Sequence, residues 1–80
     1  MLKVIFYTKE ICSLCDDAMA LLHMLQNDYE FEIEERDIYT NDKWLEEYQL
    51  LIPYVQIKDI GIDCEHMDME VLEQAIKEKS

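Results

Sequence analysis

Glycine and proline each occur once in this chain, and cysteine only three times. So few backbone breakers exclude a collagenous, loop-rich or low-complexity protein, and leave Gly61 and Pro53 as the two positions where the backbone is punctuated. Cations are scarce as well: seven Lys and Arg stand against nineteen Asp and Glu, a formal charge of −12. A surface of that sign repels phosphate backbones, which proteins bind by neutralising phosphates with Lys and Arg, so no nucleic-acid partner is expected. No apolar run approaches the roughly 20 residues of a membrane span. The opening Met1-Leu2-Lys3-Val4-Ile5-Phe6-Tyr7 is also too short for the core of a signal peptide. Three cysteines, two of them two residues apart, do not form the even, widely spaced set of a secreted disulfide scaffold. The expectation is a soluble, monomeric, cytoplasmic protein with no membrane partner.

What is present suffices for one compact domain over residues 1–80. Half the residues are apolar and are spread along the whole chain. At this length roughly 60–65% of the unfolded surface can be buried, without disulfide staples or a structural metal.

Leu2 to Tyr7 is β-branched, aromatic and almost continuously apolar, the pattern of a central strand buried on both faces. Thr8 to Ile11 reads as a loop. From Cys12 to about Gln26 the apolar residues Cys15, Ala18, Met19, Leu22 and Leu25 recur at three and four, one face of a helix. Glu30 to Glu34 alternates strictly, as an edge strand with one wet face does, and its glutamates discourage pairing with another chain. Thr40, Asn41 and Asp42 supply N-cap chemistry for a second helix carrying Trp44, Leu45, Tyr48 and Leu51. Pro53 cannot continue that helix, so the chain turns there into a third strand, Tyr54 to Ile57. Lys58 to Gly61 reads as a hairpin turn with Gly61 free to take positive φ, and Ile62 to Cys64 as a short fourth strand. Asp68 caps a last helix whose Met69, Leu72, Ala75 and Ile76 face inward. Met67 is placed to staple onto Leu72 there, and Lys77 and Lys79 suit the negative end of the dipole. The order is βαβ, a linking helix, then ββα: an α/β domain with a four-stranded mixed sheet and helices on both faces.

Cys12-Ser13-Leu14-Cys15 falls where the first strand gives way to the first helix. Free N–H groups and the positive dipole end stabilise a thiolate there, which makes Cys12 the exposed nucleophile and Cys15 the resolving thiol one turn further in. A mixed disulfide on Cys12 is then open to attack from the same turn. Lys9 adds to the depression of the Cys12 pKa, whereas Glu10, Asp16 and Asp17 oppose it with like charge. Two other readings of the pair stay open. Cysteines three apart on a helix also occur as plain core packing. Zinc needs four ligands and a bridging iron–sulfur cluster four thiolates, for which only Cys64 and His66 stand elsewhere; no metal site is expected.

Tyr7-Thr8-Lys9-Glu10-Ile11-Cys12-Ser13-Leu14-Cys15 resembles the active-site segment of the glutaredoxin-like branch of the thioredoxin superfamily, and the likeness extends over almost the whole chain. It is nearest to the small glutaredoxin-like proteins with a Cys-x-Leu-Cys segment followed by acidic residues. Ile52-Pro53 falls at the family's cis-proline, the alternative being a trans proline that merely ends a helix. Ile62 to Asp68 falls at its Gly-Gly-x-Asp-Asp loop. The resemblance implies a thioredoxin-like fold and a thiol–disulfide oxidoreductase with Cys12 and Cys15 catalytic. It implies substrate contacts at Lys9, Ser13, Leu14, Ile52, Pro53, Asp63 and Cys64. In the family the residue before the proline, here Ile52, pairs its backbone with the thiol substrate, and Lys9 would meet a carboxylate such as the glycine end of glutathione.

Two departures from the family accompany the match. Ser13-Leu14 replaces the usual Pro-aromatic pair. Asp63-Cys64 replaces the glycine pair, adding bulk and negative charge where the γ-glutamyl carboxylate of glutathione would dock. Expected partners are disulfide-containing proteins or small-molecule thiols, with a reductase or glutathione as reductant and no bound cofactor; the lost glycines weigh against glutathione. Cys64 reads either as a buried small hydrophobe or as the partner in an alternative disulfide or regulatory cap. His23 reads as a helix surface residue, and Trp44 and Tyr48 as helix-to-sheet packing or a groove wall. The rival function is a binding module of the same fold without turnover, docking a basic partner on its acidic face or holding a metal on its thiols.

Overall fold

A computed structural model describes all 80 residues, Met1–Ser80. The order is β1 (Leu2–Thr8), α1 (Ser13–Leu25), β2 (Phe31–Asp37), α2 (Asp42–Tyr48), β3 (Tyr54–Ile57), β4 (Ile60–Ile62) and α3 (Met69–Lys79), with one 3-10 turn, Ile38–Thr40, before α2. The strands form one sheet in the order β2-β1-β3-β4. β1 runs parallel to β2 in the register Leu2 to Phe31 through Thr8 to Asp37. It runs antiparallel to β3, with Tyr7 opposite Tyr54. The parallel pair requires a crossover, which α1 supplies. No helix is long and apolar enough to cross a membrane.

Alternation along β1 divides the sheet into two unlike faces. Leu2, Val4 and Phe6 enter the main core with Val55, Ile57 and Ile62. The same core takes Cys15, Ala18, Leu22 and Leu25 from α1 and Leu72, Ala75 and Ile76 from α3, so α1 and α3 cover this face. Tyr7 points the other way, onto α2. Its ring stacks on Tyr48 with centroids 4.0 Å apart and meets Trp44 and Tyr54 edge-on at 6.0 Å. Arg36 lies over Tyr7 and Trp44, 5.6 and 5.1 Å from their centroids, donates to the Tyr7 hydroxyl at 3.0 Å and pairs with Glu34. Each such cation–π contact contributes about 0.5–2 kcal/mol. Burial raises the Tyr48 and Tyr54 phenols above their ordinary values.

The mixed sheet with helices on both faces is the architecture the resemblance implies. Several details differ from expectation. β1 is not buried on both faces along its length: Lys3 is exposed and Ile5 half-buried, because seven-residue α2 covers only the Tyr7 end. β2 runs on to Asp37, whose carboxylate then caps the unforeseen 3-10 turn by accepting the Tyr39 N–H at 2.9 Å. Of the three N-cap candidates before α2, Asn41 serves, accepting from Lys43 and Trp44. The helix stops at Tyr48, short of Leu51.

The hairpin is the clearest correction. Its turn is Lys58-Asp59, and Lys58, not Gly61, takes the positive φ, 53°. Gly61 is a strand residue opposite Gln56, and β4 begins at Ile60 and ends at Ile62. Glycine is needed there for space: Tyr54 lies across it, and a Cβ would overlap the tyrosine hydroxyl and come within 2.8 Å of Cζ. Lys79, in the last turn of α3, reaches back to Asp59 at 2.8 Å and ties the hairpin to the final helix.

Candidate functional site

The loop after β1 ends on an unusual conformation. Ile11 has φ of 40° and is 99% exposed, so a β-branched residue holds a backbone shape that L side chains disfavour. Cys12 follows in extended conformation as the N-cap of α1; the helix proper starts at Ser13. Its sulfur accepts the N–H of Cys15 at 3.2 Å, and its carbonyl accepts that of Asp16 at 3.0 Å. The sulfur therefore takes the place of a capping oxygen, at the positive end of a thirteen-residue helix.

Cys12 and Cys15 are joined as a disulfide, with Cα atoms 5.2 Å apart. Cys12 is half-buried and Cys15 is 2% exposed, facing the core. Cys12 is thus the more accessible of the two, because as the extended N-cap it stands outside the helix while Cys15 lies on the core-facing stripe of α1.

Two hollows lie along different sides of the first turns of α1. One, about 220 Å³, is lined by Leu14, Asp17, Ala18, Leu21, Pro53, Cys64 and Met67. The other, about 200 Å³, has Cys15 in its wall together with Lys9, Glu10, Asp16, Glu35 and Asp37. The residues singled out in the sequence are therefore divided. Leu14, Pro53 and Cys64 meet in the first hollow, whereas Lys9 belongs to the second, amid four carboxylates and without an ion pair. Ser13 is exposed in the first turn of α1. Asp17, Ala18 and Leu21 complete with Leu14 an i, i+3, i+4, i+7 stripe, a signal in the sequence that would have found them. Met67 carries no such signal.

The Ile52–Pro53 peptide is cis, and Pro53 is buried. The Ile52 N–H donates to the Tyr48 carbonyl at 3.1 Å, while the Ile52 carbonyl accepts no backbone hydrogen bond. Only one of its two backbone groups is free for another molecule.

Cys64 lies in a turn after β4, not in the strand, and its N–H donates to the Leu51 carbonyl at 3.0 Å. That bond holds the Cys64 turn against the proline loop. Asp63 shapes the turn by accepting the N–H groups of Glu65 and His66, both at 3.1 Å. It also meets His66 Nδ1 at 2.7 Å, a contact that no feature of the sequence signals. The His66 partnership holds the Asp63 carboxyl below its ordinary value, and the Asp63 carboxylate raises His66. Cys64 and His66 do not join the Cys12–Cys15 pair as ligands: no group of three or more His, Cys, Asp or Glu converges to hold a metal ion.

The glutaredoxin-like domain model (DUF836) matches residues 3–78, which spans every strand but the first residue of β1 and nearly all of α3. The chain belongs to this glutaredoxin-like family. A solved malarial protein is similar in fold to this glutaredoxin-like domain, with a TM-score of 0.71 at 16% identity over 99% of this chain and 97% of that one. No curated protein matches it. The mixed four-stranded sheet with three helices is compatible with a thioredoxin-like fold.

Proposed function

We propose that this glutaredoxin-like domain is a dithiol–disulfide oxidoreductase that reduces disulfides through Cys12 and Cys15. The observation that carries the reading is the bonded cysteine pair at the mouth of α1, with Cys12 Sγ accepting the Cys15 N–H. In the reduced protein the same N–H and the helix end favour the Cys12 thiolate over the thiol.

The thiolate attacks one sulfur of a substrate disulfide. A Cys12–substrate S–S bond forms, the substrate S–S bond breaks, and the departing thiolate takes up a proton. Cys15 then loses its proton and attacks the Cys12 sulfur, which releases the second substrate thiol and leaves the Cys12–Cys15 disulfide. Two electrons pass from protein to substrate, and a low-molecular-weight thiol such as glutathione or a dedicated reductase returns them. Ile52 offers its carbonyl to an N–H of the bound substrate, Pro53 and Leu14 line the hollow along the first turns of α1, and Ser13 lies exposed next to Cys12. Lys9 favours the thiolate through space, while Asp63 and Cys64 shape the substrate side. A reducing compartment suits this chemistry, which is why the cytoplasm is the proposed location.

Equilibration with defined thiol–disulfide buffers tests the reading. A reversible two-electron step between about −200 and −270 mV, the span from glutaredoxins to thioredoxin, is the expected result. Cys15→Ser should accumulate mixed disulfides on Cys12. No reversible step, or full turnover by Cys12→Ser, removes the enzymatic assignment.

A further inference from the structure

Resting on the dithiol reading above, we infer that the substrates are polypeptide disulfides carrying an aliphatic side chain on one side of the reacting cysteine and a basic residue on the other, in preference to glutathione disulfides. The two hollows differ in chemistry and lie on different sides of α1, one along Leu14, Asp17, Ala18 and Leu21, the other along Cys15, Asp16 and Met19. The hollow beside Pro53 is walled by Leu14, Ala18, Leu21, Cys64 and Met67, with Asp17 its one charged member. At about 220 Å³ it falls below the roughly 300–1,000 Å³ of pockets that enclose a whole small ligand. Its size and lining suit one aliphatic side chain.

The other hollow sets Lys9 against Glu10, Asp16, Glu35 and Asp37. An incoming carboxylate there gains one cation and meets four anions, whereas a lysine or arginine side chain finds the complementary field. Glutathione brings two carboxylates against one ammonium and no aliphatic side chain, so it suits both hollows less well. Exposure points the same way. Ile11 and Leu14 stand 99% and 63% exposed on either side of Cys12, apolar surface that an approaching polypeptide covers. The Ile52 carbonyl is open while its N–H is spent on Tyr48, so the backbone offers an acceptor for one peptide N–H, not a two-bond strand pairing.

Single-turnover reduction by the full chain, pre-reduced at both cysteines, tests the inference. The probes are short peptides of one length, each with a single cysteine in mixed disulfide with the same aromatic thiol, which is released as two electrons leave Cys12 and Cys15. A Leu-Cys-Lys peptide should react about tenfold faster than its Leu→Ser counterpart at any salt, as the filling of a small apolar pocket allows. It should also outpace Leu-Cys-Glu by about tenfold at low salt, an advantage that shrinks as ionic strength rises. Glutathione carrying the same aromatic thiol should be slower than the Leu-Cys-Lys peptide. Leu14→Ser should erase the leucine preference, and Glu35→Gln with Asp37→Asn the lysine preference. Equal rates across the peptides, or glutathione as fast as the best of them, overturn the selectivity and leave the dithiol reading intact. No reduction of any probe overturns the dithiol reading itself.

Discussion

Cys12 caps its own helix with sulfur, accepting the N–H of Cys15, the residue to which it is also bonded. One group therefore has a structural and a chemical role, and two substitutions separate them. Under reducing conditions Cys12→Ala removes the cap and should cost an amount near the low end of the roughly 0.5–2 kcal/mol of a lost N-cap. Cys12→Ser restores a capping oxygen and should keep the stability of the reduced protein. Both should lose the redox step entirely. Urea unfolding of the three proteins with reductant present checks the first part; equal stability of the serine and alanine forms would show that the contact contributes nothing.

Ile11 should be improved by glycine. Its positive φ costs an L residue roughly 1–2 kcal/mol, and glycine gives back about 0.5–1 kcal/mol in unfolded-state entropy. The side chain is 99% exposed, so little packing is lost. Ile11→Gly is expected to raise Tm by up to about 4–8 °C, the shift produced by 1 kcal/mol in a domain of this size. A lower Tm on scanning calorimetry would contradict this account of the loop.

Gly61→Ala should be destabilising although the site is exposed and lies in an edge strand. The new methyl collides with Tyr54, whose ring is held by Tyr7 and Tyr48, at 6.0 and 4.8 Å between centroids, and cannot simply swing aside. Overpacking of this kind costs typically about 1–3 kcal/mol. Placing the same change in a Tyr54→Leu background should recover much of the loss. Additive effects of the two substitutions in urea unfolding would place the cause elsewhere.

The Asp63–His66 pair gives stability a defined pH window. His66 is raised above its ordinary 6.5, so its contribution is complete below that pH and is lost as pH rises through the raised value. Asp63 is lowered from 3.8, so its share is complete above that pH and is lost as pH falls through the lowered value. The advantage of the native protein over His66→Gln should therefore be greatest between those limits and shrink as pH rises through the raised His66 value. In an NMR titration, Asp63→Asn should move the His66 inflection down toward 6.5. An unmoved inflection would mean that the pair does not persist in solution.

Much of the fold was legible because burial repeats with the period of each element. The three-and-four spacing of Cys15, Ala18, Leu22 and Leu25 marks α1, the alternation from Phe31 marks β2, and Asp68 announces α3 by its capping chemistry, accepting from Val71 at 2.8 Å. The cysteine pair was legible for the same local reason, since a strand followed at once by a helix leaves Cys12 at the helix mouth whatever the remaining chain does. The extent of β2 and the 3-10 turn were not legible, because Glu35, Arg36 and Asp37 break no apolar pattern and gain their order from pairing with β1.

The sequence by itself determined the order of the main helices and strands, the position of Cys12 and Cys15 at the start of α1, and the acidity of the chain, all properties of neighbouring residues. Only the tertiary structure decided that Gly61 gives way to Tyr54, that Asp63 holds His66, and that Lys9 and Pro53 border different hollows along α1. Those relations depend on strand order, register and loop conformation. Loop conformation governs even near neighbours such as Asp63 and His66, and sheet order brings together groups many residues apart whose contact leaves no periodic trace in the chain.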